Sequence, residues 1–177
     1  MNLALVGYRG TGKSVIASQL GQLLNLNVIS LDREIANEAG MTIPEIVAKH
    51  GWVNFRDLEE KICAQYALKD GLVIDCGGGI IERESNIAIL KQNCIVFWLK
   101  AEISTIASRI ADDTQRPSLT GAKSFIEEIK EVLARRIPLY RKIAHVEIAT
   151  DNQSINDLAL TITNHFRYAK DNIEKYK

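Results

Sequence analysis

The segment Gly7–Ser14, Gly-Tyr-Arg-Gly-Thr-Gly-Lys-Ser, constrains the fold of this chain more than any other feature. It fits the pattern G-x-x-x-x-G-K-[ST] and stands between an apolar run, Asn2–Val6, and an amphipathic segment that predicts a helix from about Gly12 to Leu24. Glycines let the backbone curl so that N–H groups point at phosphate oxygens, and the helix N-terminus adds the positive end of its dipole. The pattern predicts nucleoside triphosphate binding by Gly10, Thr11, Gly12, Lys13 and Ser14.

Within this loop, two side chains carry specific chemistry. Lys13 would reach the β- and γ-phosphates and act in catalysis, while the Ser14 hydroxyl would be a ligand of Mg²⁺. A phosphate loop alone does not separate kinases from GTPases or ATP-driven machines, but the chain lacks the Asn/Thr-Lys-x-Asp pattern of a guanine site. The small size of the chain leaves room for one nucleotide site and a small acceptor, and Mg²⁺ is the expected cofactor.

Four further apolar runs alternate with helical patterns along the chain. The run Cys94–Leu99 is apolar on both faces, which is typical of a parallel sheet that helices cover on both sides. The sequence therefore predicts an α/β fold with a parallel five-stranded sheet flanked by helices on both faces; its other strands are Asn27–Leu31, Leu72–Asp75 and Val146–Ala149.

Capping signals and periodicity predict the helices. Thr42 and Glu45 form a capping box with Pro44 near the helix start. After the first helix, the predicted helices are Thr42 to about His50, Val53–Leu68, Ile103–Ala111, Ser124–Arg136 and Ser154–Tyr168. The polar stretch 112–123 shows no periodicity, so it is either a disordered excursion or a functional lid within a single domain of 177 residues.

Composition excludes several classes of function. The chain has 22 Lys+Arg against 22 Asp+Glu, and this zero net charge argues against a nucleic-acid-binding surface. No apolar stretch approaches the ~20 residues of a membrane span, so we expect no membrane association and a cytoplasmic protein. Cys63, Cys76 and Cys94 lack metal-ligand spacing and are expected to be buried reduced thiols, and we expect a monomer.

Acidic residues follow two of the predicted strands, at the sheet edge where ligands bind in open α/β folds. Asp32 could hold Mg²⁺ through water, and Glu34 could orient or deprotonate an acceptor hydroxyl. Both residues could equally be ordinary acids in the first turn of a helix. Asp75 is a second candidate for the water shell of Mg²⁺.

Taken in order, the motifs of residues 2 to about 150 resemble those of the shikimate kinase family. The phosphate loop occurs in many families, but the combination of motifs is specific. The matching segments after Gly7–Ser14 are Asp32-Arg33-Glu34, Phe55-Arg56-Asp57-Leu58-Glu59, Gly77-Gly78-Gly79, Arg116-Pro117-Ser118-Leu119 and Arg136-Ile137-Pro138-Leu139-Tyr140.

The resemblance implies a P-loop kinase similar to the nucleoside-monophosphate kinases, with a mobile lid and acceptor-binding helices at about residues 32–68. It also implies transfer of the γ-phosphoryl group of ATP to the 3-hydroxyl of shikimate, a step of aromatic amino-acid (chorismate) biosynthesis. Arg56 and Arg136 would grip the shikimate carboxylate beside Gly77, Gly78 and Gly79, with Glu34 at the acceptor. Considered alone, Arg56 would instead be expected to pair with Glu59 or Glu60 on a helix surface.

The resemblance also assigns residues to the nucleotide. Arg116 on the lid would close over the transferring phosphoryl group and act in catalysis, and Arg109 would stack on adenine. Gln153 lies in the turn after the last strand, where the family often has a proline near adenine, and we expect it to contact ATP.

One departure keeps alternatives open. The family has aspartate where this chain has Glu34, and the extra methylene could alter the contact with the acceptor. The alternatives are a kinase for another small hydroxy acid such as gluconate or for a nucleoside monophosphate, and a nucleotide-binding paralogue with weakened catalysis.

Overall fold

The computed structural model of the chain describes residues 1–110 and 125–172. These residues form a five-stranded sheet in the order β2-β3-β1-β4-β5, and every pair of neighbouring strands is parallel. The strands are β1 Asn2–Val6, β2 Asn27–Ser30, β3 Leu72–Asp75, β4 Cys94–Lys100 and β5 Val146–Ala149. The predicted fold class is confirmed.

The described residues also form seven α-helices and one 3₁₀ turn, Ile80–Glu82. The helices are α1 Lys13–Leu24, α2 Leu31–Ala39, α3 Ile43–Ala67, α4 Glu84–Asn93, α5 Ile103–Ile110, α6 Phe125–Ile143 and α7 Ile155–Asp171. Sequence analysis did not predict α2 and α4 as separate helices, because α2 begins directly after β2 and neither N-cap residue makes a side-chain capping bond.

Alternate residues of β1 supply the two faces of the sheet. Leu3 and Leu5 pack in a cluster with the apolar sides of α1 and α7. Ala4 and Val6 point to the opposite face, where the cluster includes buried residues of α2, α3, α4 and α6. Both faces of the sheet are therefore covered by helices, as the apolar strands predicted.

Helix α3 contains the two helices predicted between residues 42 and 68. Thr42 caps it as the capping box requires: its hydroxyl accepts a bond from the Glu45 N–H, and the Glu45 carboxylate accepts one from the Thr42 N–H at 2.7 Å. Gly51 interrupts the helical backbone with φ 80° and ψ 169°. The interruption separates the two predicted segments.

Helix α6 is longer than predicted. The predicted end at Arg136 is wrong, since the helix continues through Pro138 to Ile143. A proline inside a helix removes one backbone hydrogen bond and costs ~3 kcal/mol or more. The last turns, however, bury Tyr140 and Ile143 completely against the sheet, and burial of two such side chains offsets a cost of that size.

Because the strands are parallel, the loops that follow β1, β2 and β3 meet at one edge of the sheet. This edge brings together Gly7–Gly12, the first turn of α2 and Gly77–Gly79.

The three cysteines are buried and free, as expected, and burial raises the pKa of Cys94 to about 12. The predicted lid, 112–123, lies outside the described residues.

Candidate active site

The phosphate loop connects the central strand β1 to α1. Gly12 is the N-cap of α1 and has φ 89°, a left-handed conformation that glycine adopts without strain. The Thr11 hydroxyl and the Lys13 ammonium both donate to the carbonyl of Tyr8, at 2.8 and 3.0 Å. These bonds curl the loop, so the side chain of Lys13 lies along it and next to the cavity described next.

A cavity of about 500 Å³, the phosphate cavity, opens in front of this loop. The Ser14 hydroxyl donates to Asp75 at 2.6 Å, and Asp32 lines the same cavity. Burial raises the pKa of Asp75, while the charge of Lys13 and the bond from Ser14 act in the opposite direction. The phosphate cavity is lined by Arg9, Gly10, Gly12, Lys13, Ser14, Val15, Ser30, Asp32, Asp75, Cys76, Arg109 and Ile110.

The donor set of the phosphate cavity suits Mg²⁺. Ser14, Asp32 and Asp75 offer only oxygen atoms, which are the ligands that this hard cation prefers. Within the described ranges, no group of three or more His, Cys, Asp and Glu side chains forms a metal site by itself. Proteins usually bind Mg²⁺ through one or two carboxylates together with substrate phosphates.

A second cavity, the acceptor cavity, lies beside the first. Arg56 from α3 and Arg136 from α6 both line it, together with the three glycines after β3. A Cβ on Gly79 would overlap the guanidinium of Arg56, so a larger residue here would displace that guanidinium from its place in the cavity. The cavity is lined by Tyr8, Arg9, Asp32, Ile43, Trp52, Phe55, Arg56, Glu59, Gly77, Gly78, Gly79 and Arg136.

A carboxylate from the protein holds each of the two arginines. Arg56 donates through NH1 to Glu59 at 2.5 Å, and Arg136 donates through Nε to Glu82 at 2.8 Å. Burial raises the pKa of Glu59 although Arg56 opposes the shift. Partial burial would also raise the pKa of Glu82, but the bond and charge of Arg136 hold it below the usual range. Arg56 therefore makes the expected helix ion pair and lines the acceptor cavity as well.

Buried polar atoms without a hydrogen-bond partner concentrate at the acceptor cavity. Within the described part of the chain there are five, and three belong to residues that line this cavity: Tyr8 Oη, Arg9 Nε and Glu59 Oε1. Tyr8 Oη and Arg9 Nε are hydrogen-bond donors, and Glu59 Oε1 is an acceptor when Glu59 is ionised. Because buried polar groups are nearly always paired, such a concentration indicates a site for a polar ligand.

Glu34 is not among the residues that line the acceptor cavity. It is in the first turn of α2, where its carboxylate accepts a 2.6 Å hydrogen bond from the Tyr66 hydroxyl of α3. Asp32 is the acid of this turn that reaches both cavities. The role of Glu34 at an acceptor hydroxyl stays a prediction.

The predicted nucleotide contacts are placed as follows. Arg109 lines the phosphate cavity and donates to the Gly10 carbonyl at 3.1 Å and to Thr150. Gln153 is exposed after β5, and its amide donates to the Ala149 carbonyl at 2.9 Å. Arg116 lies outside the described residues. Adenine contacts of Arg109 and Gln153 stay predictions.

Several residues of the acceptor cavity were missed from the sequence. Tyr8 and Arg9 occupy variable positions of the loop pattern, so the pattern assigns them no role. They reach the acceptor cavity because β1 and β3 are neighbours in the sheet, which brings Gly78 close to the backbone of Gly7 and Arg9. Trp52 lines the cavity with its ring near the Arg56 guanidinium, at 5.7 Å.

Among residues 1–110 and 125–172, no helix combines the length and apolarity that a membrane span requires.

A parallel sheet with a phosphate loop after its central strand, next to an arginine-lined cavity, defines a P-loop kinase that acts on a small anionic acceptor. A family model described as shikimate kinase matches residues 9–167. This chain belongs to the shikimate kinase family, whose members are ATP-dependent kinases that phosphorylate a hydroxyl of shikimate.

Relatives and solved structures agree with this assignment. Shikimate kinase 2 of Photorhabdus laumondii is 41% identical over 81% of this chain and 83% of its own length. The shikimate kinase of Macrococcus caseolyticus is 37% identical over 86% of this chain and 89% of its own length. The structure of Acinetobacter baumannii shikimate kinase in complex with shikimate superimposes with a TM-score of 0.90 at 34% identity, covering 96% of this chain and 94% of that one.

Proposed function

We propose that this protein transfers the γ-phosphoryl group of ATP to the 3-hydroxyl of shikimate, with Mg²⁺ as cofactor, in chorismate biosynthesis. One observation carries the proposal. Arg56 and Arg136 come from different helices and line one cavity, which shares two wall residues, Arg9 and Asp32, with the phosphate cavity. An anionic acceptor bound by the two arginines would therefore lie next to the γ-phosphate.

The chemistry of the acceptor cavity suits a hydroxylated carboxylate. A guanidinium is a planar, permanently charged donor and binds carboxylates through two parallel bonds. Arg56 uses NH1 for Glu59, and Arg136 uses Nε for Glu82. Arg136 also has a hydrogen bond with the Tyr140 side chain, and the N–H groups outside these bonds would bind the substrate carboxylate. The donor Tyr8 Oη and the acceptor Glu59 Oε1 supply partners for ring hydroxyls.

The reaction follows from this arrangement. The loop N–H groups and Lys13 bind the β- and γ-phosphates, and the arginines orient the acceptor so that its hydroxyl oxygen faces the γ-phosphorus. Bound with ATP, Mg²⁺ would be held by Ser14 with Asp32 and Asp75 and would neutralise charge on the phosphates. An acidic side chain at this edge, Asp32 or Glu34, receives the hydroxyl proton during attack.

A second candidate function is a nucleotide-binding paralogue with weakened catalysis. The bond between Tyr66 and Glu34 favours it, because it engages the predicted acceptor acid, which does not line the acceptor cavity. The two candidates differ in turnover rather than in nucleotide binding. From the sequence we further propose that the protein acts as a monomer in the cytoplasm.

A coupled assay of ADP formation tests the proposed function. We expect turnover with shikimate, Mg²⁺ and ATP that exceeds both the rate without acceptor and the rate with gluconate. The product should be identified by ³¹P NMR, because ADP release alone would also arise from ATP hydrolysis. ATP binding without transfer to shikimate, restored by Glu34→Asp, would instead support the paralogue.

A matched pair of variants links turnover to the cavity. Arg136→Lys keeps the positive charge but loses the two-pronged geometry, so it should raise the KM for shikimate more than the KM for ATP. Arg135→Lys changes the neighbouring arginine, which is exposed and does not line the cavity, and should leave both constants close to those of the wild type. Equal effects of the two variants would contradict the proposed acceptor site.

A further inference from the structure

Two residues form the wall that the acceptor cavity and the phosphate cavity share. Of the described residues, only Arg9 and Asp32 line both cavities. Lys13 and Arg109 line the phosphate cavity alone, whereas Arg56 and Arg136 line the acceptor cavity alone. Arg9 is therefore the one cation in the described ranges that borders both the donor and the acceptor.

Glu128 and the ring of Tyr8 contact the side chain of Arg9. Its NH2 lies 3.6 Å from an oxygen of Glu128, a residue of α6 that is itself buried. Its guanidinium carbon lies 5.9 Å from the centre of the Tyr8 ring. Only 13% of the Arg9 side chain is exposed, so the loop, α6 and Tyr8 restrict its position. A restricted guanidinium loses little conformational entropy when it binds an anion.

One N–H of this guanidinium has no partner. Arg9 Nε is buried and makes no hydrogen bond within the described part of the chain. A buried donor on a permanent cation is costly to leave unpaired, and such groups point to a ligand or a catalytic role. Under the proposed function, the terminal phosphoryl group of ATP lies where the two cavities meet. Its oxygens are the anionic partner that would fit this donor.

We propose that Arg9 is a further catalytic residue of this kinase, which donates hydrogen bonds to the phosphoryl group as it passes from ATP to the acceptor. The inference rests on the proposed function. The acceptor oxygen forms a bond to the γ-phosphorus, and the bond from that phosphorus to the β,γ-bridging oxygen breaks. The electron pair of the broken bond stays on ADP, and the hydroxyl proton passes to an acidic side chain and then to solvent.

Arg9 fits this step because of where charge develops. During transfer, negative charge spreads over the oxygens of a phosphoryl group that lies between the two substrates. A fixed cation at that place stabilises the transition state more than either bound substrate. Arg56 and Arg136 differ from Arg9 in this respect, because they border only the cavity of the acceptor.

Kinetics of Arg9→Ala in the full-length protein test the inference. We expect kcat to fall roughly 100-fold, the effect of removing one transition-state donor, while the KM values for shikimate and ATP change less than about threefold. Guanidinium chloride at concentrations far below those that unfold the protein should restore part of kcat. Arg9→Lys keeps charge without the forked geometry and should give an intermediate kcat.

Arg167→Ala is the matched control. Arg167 lies exposed on α7 and does not line either cavity, so kcat should stay within twofold of the wild type. Thermal unfolding of each variant separates loss of structure from loss of catalysis, and Arg9→Lys covers the case in which the alanine variant fails to fold.

Three outcomes would overturn the inference. The first is an unchanged kcat in both Arg9 variants. The second is a rise in the KM for shikimate that accounts for the whole loss, which would make Arg9 a binding residue only. The third is a loss of kcat that guanidinium does not restore and that parallels a lowered Tm. If the wild type itself fails to phosphorylate shikimate, the proposed function fails rather than this role of Arg9.

Discussion

At the scale of single residues, the acceptor cavity depends on how its cations are held. Arg136 is 4% exposed, and a charge buried to that degree needs a partner. Glu82 ends the 3₁₀ turn that follows the three glycines; it accepts the bond from Arg136 Nε and also lies 3.3 Å from Arg135. The position of Arg136 is thereby set before a substrate carboxylate arrives, which makes Glu82 a positioning residue.

Glu82→Ala should therefore raise the KM for shikimate about tenfold, since a hydrogen bond to a charged group is worth ~1.5–3 kcal/mol and part of that loss falls on substrate binding. The KM for ATP and kcat should change little. Steady-state kinetics with each substrate varied in turn measures the difference. Glu84→Ala is the control, because Glu84 is exposed and pairs with Lys142. An unchanged or lower KM for shikimate would show that Glu82 does not position Arg136.

Tyr66→Phe tests the position of Glu34. If Glu34 serves the acceptor, it must leave the Tyr66 hydroxyl, so removal of that hydroxyl should raise kcat/KM for shikimate roughly three- to tenfold. Tyr168→Phe, an exposed tyrosine on α7, should have no effect. A fall in kcat/KM for Tyr66→Phe would mean that the bond holds Glu34 in its working position.

At the scale of the elements, the interruption of α3 shapes the acceptor cavity. Gly51 has φ 80° and ψ 169°, a conformation that is essentially restricted to glycine. Trp52, Phe55 and Arg56 follow directly and line the cavity, with the two aromatic rings packed edge to face at 5.8 Å between centres. A continuous helix from Thr42 would direct these side chains elsewhere, because each residue turns a helix by about 100°.

Gly51→Ala should lower the free energy of unfolding by about 2 kcal/mol, the usual cost of forcing such backbone angles on an L-residue. No atom lies within 4 Å of the added Cβ, so the effect would be backbone strain rather than a clash. Urea unfolding measures it. His50→Ala, an exposed neighbour in helical conformation, should change stability by less than about 0.5 kcal/mol. Equal stability of Gly51→Ala and the wild type would contradict the strain.

At the scale of the whole molecule, the acceptor cavity joins five parts of the fold. Its wall comes from α2, α3 and α6 and from the loops after β1 and β3. A ligand that contacts all of these binds only the folded chain, so it stabilises the protein by mass action. Ligand-induced stability therefore reports on the cavity independently of turnover.

Shikimate at 100 times its Kd should add ~2.7 kcal/mol to the free energy of unfolding and raise Tm by roughly 5–10 °C. Arg136→Lys should reduce this shift at the same shikimate concentration while the shift caused by ADP remains. Thermal unfolding with each ligand measures both. Gluconate serves as the comparison ligand, and a shift as large as that of shikimate would contradict the proposed specificity.

The nucleotide side of the protein could be predicted from the sequence because its determinants are local. Gly12, Lys13 and Ser14 act through the turn that they form between β1 and α1, and that turn follows from neighbouring residues. The parallel sheet was equally predictable, since strands buried on both faces must be apolar throughout. By contrast, the end of α6 could not be predicted from the sequence. Burial of Tyr140 against residues far away in the chain outweighs the local helix-breaking effect of Pro138.

The acceptor side depended on tertiary structure. Arg56 and Arg136 are ordinary helix cations in the sequence, and only the packing of α3 and α6 around Gly77–Gly79 brings them to one cavity. Likewise, the phosphate-loop pattern allows any residue at position 9, and only the pairing of β1 with β3 makes Arg9 border both cavities. The sequence by itself thus determined the phosphate loop, which is one contiguous segment, whereas the acceptor cavity is lined by residues far apart in the chain, which folding alone brings together.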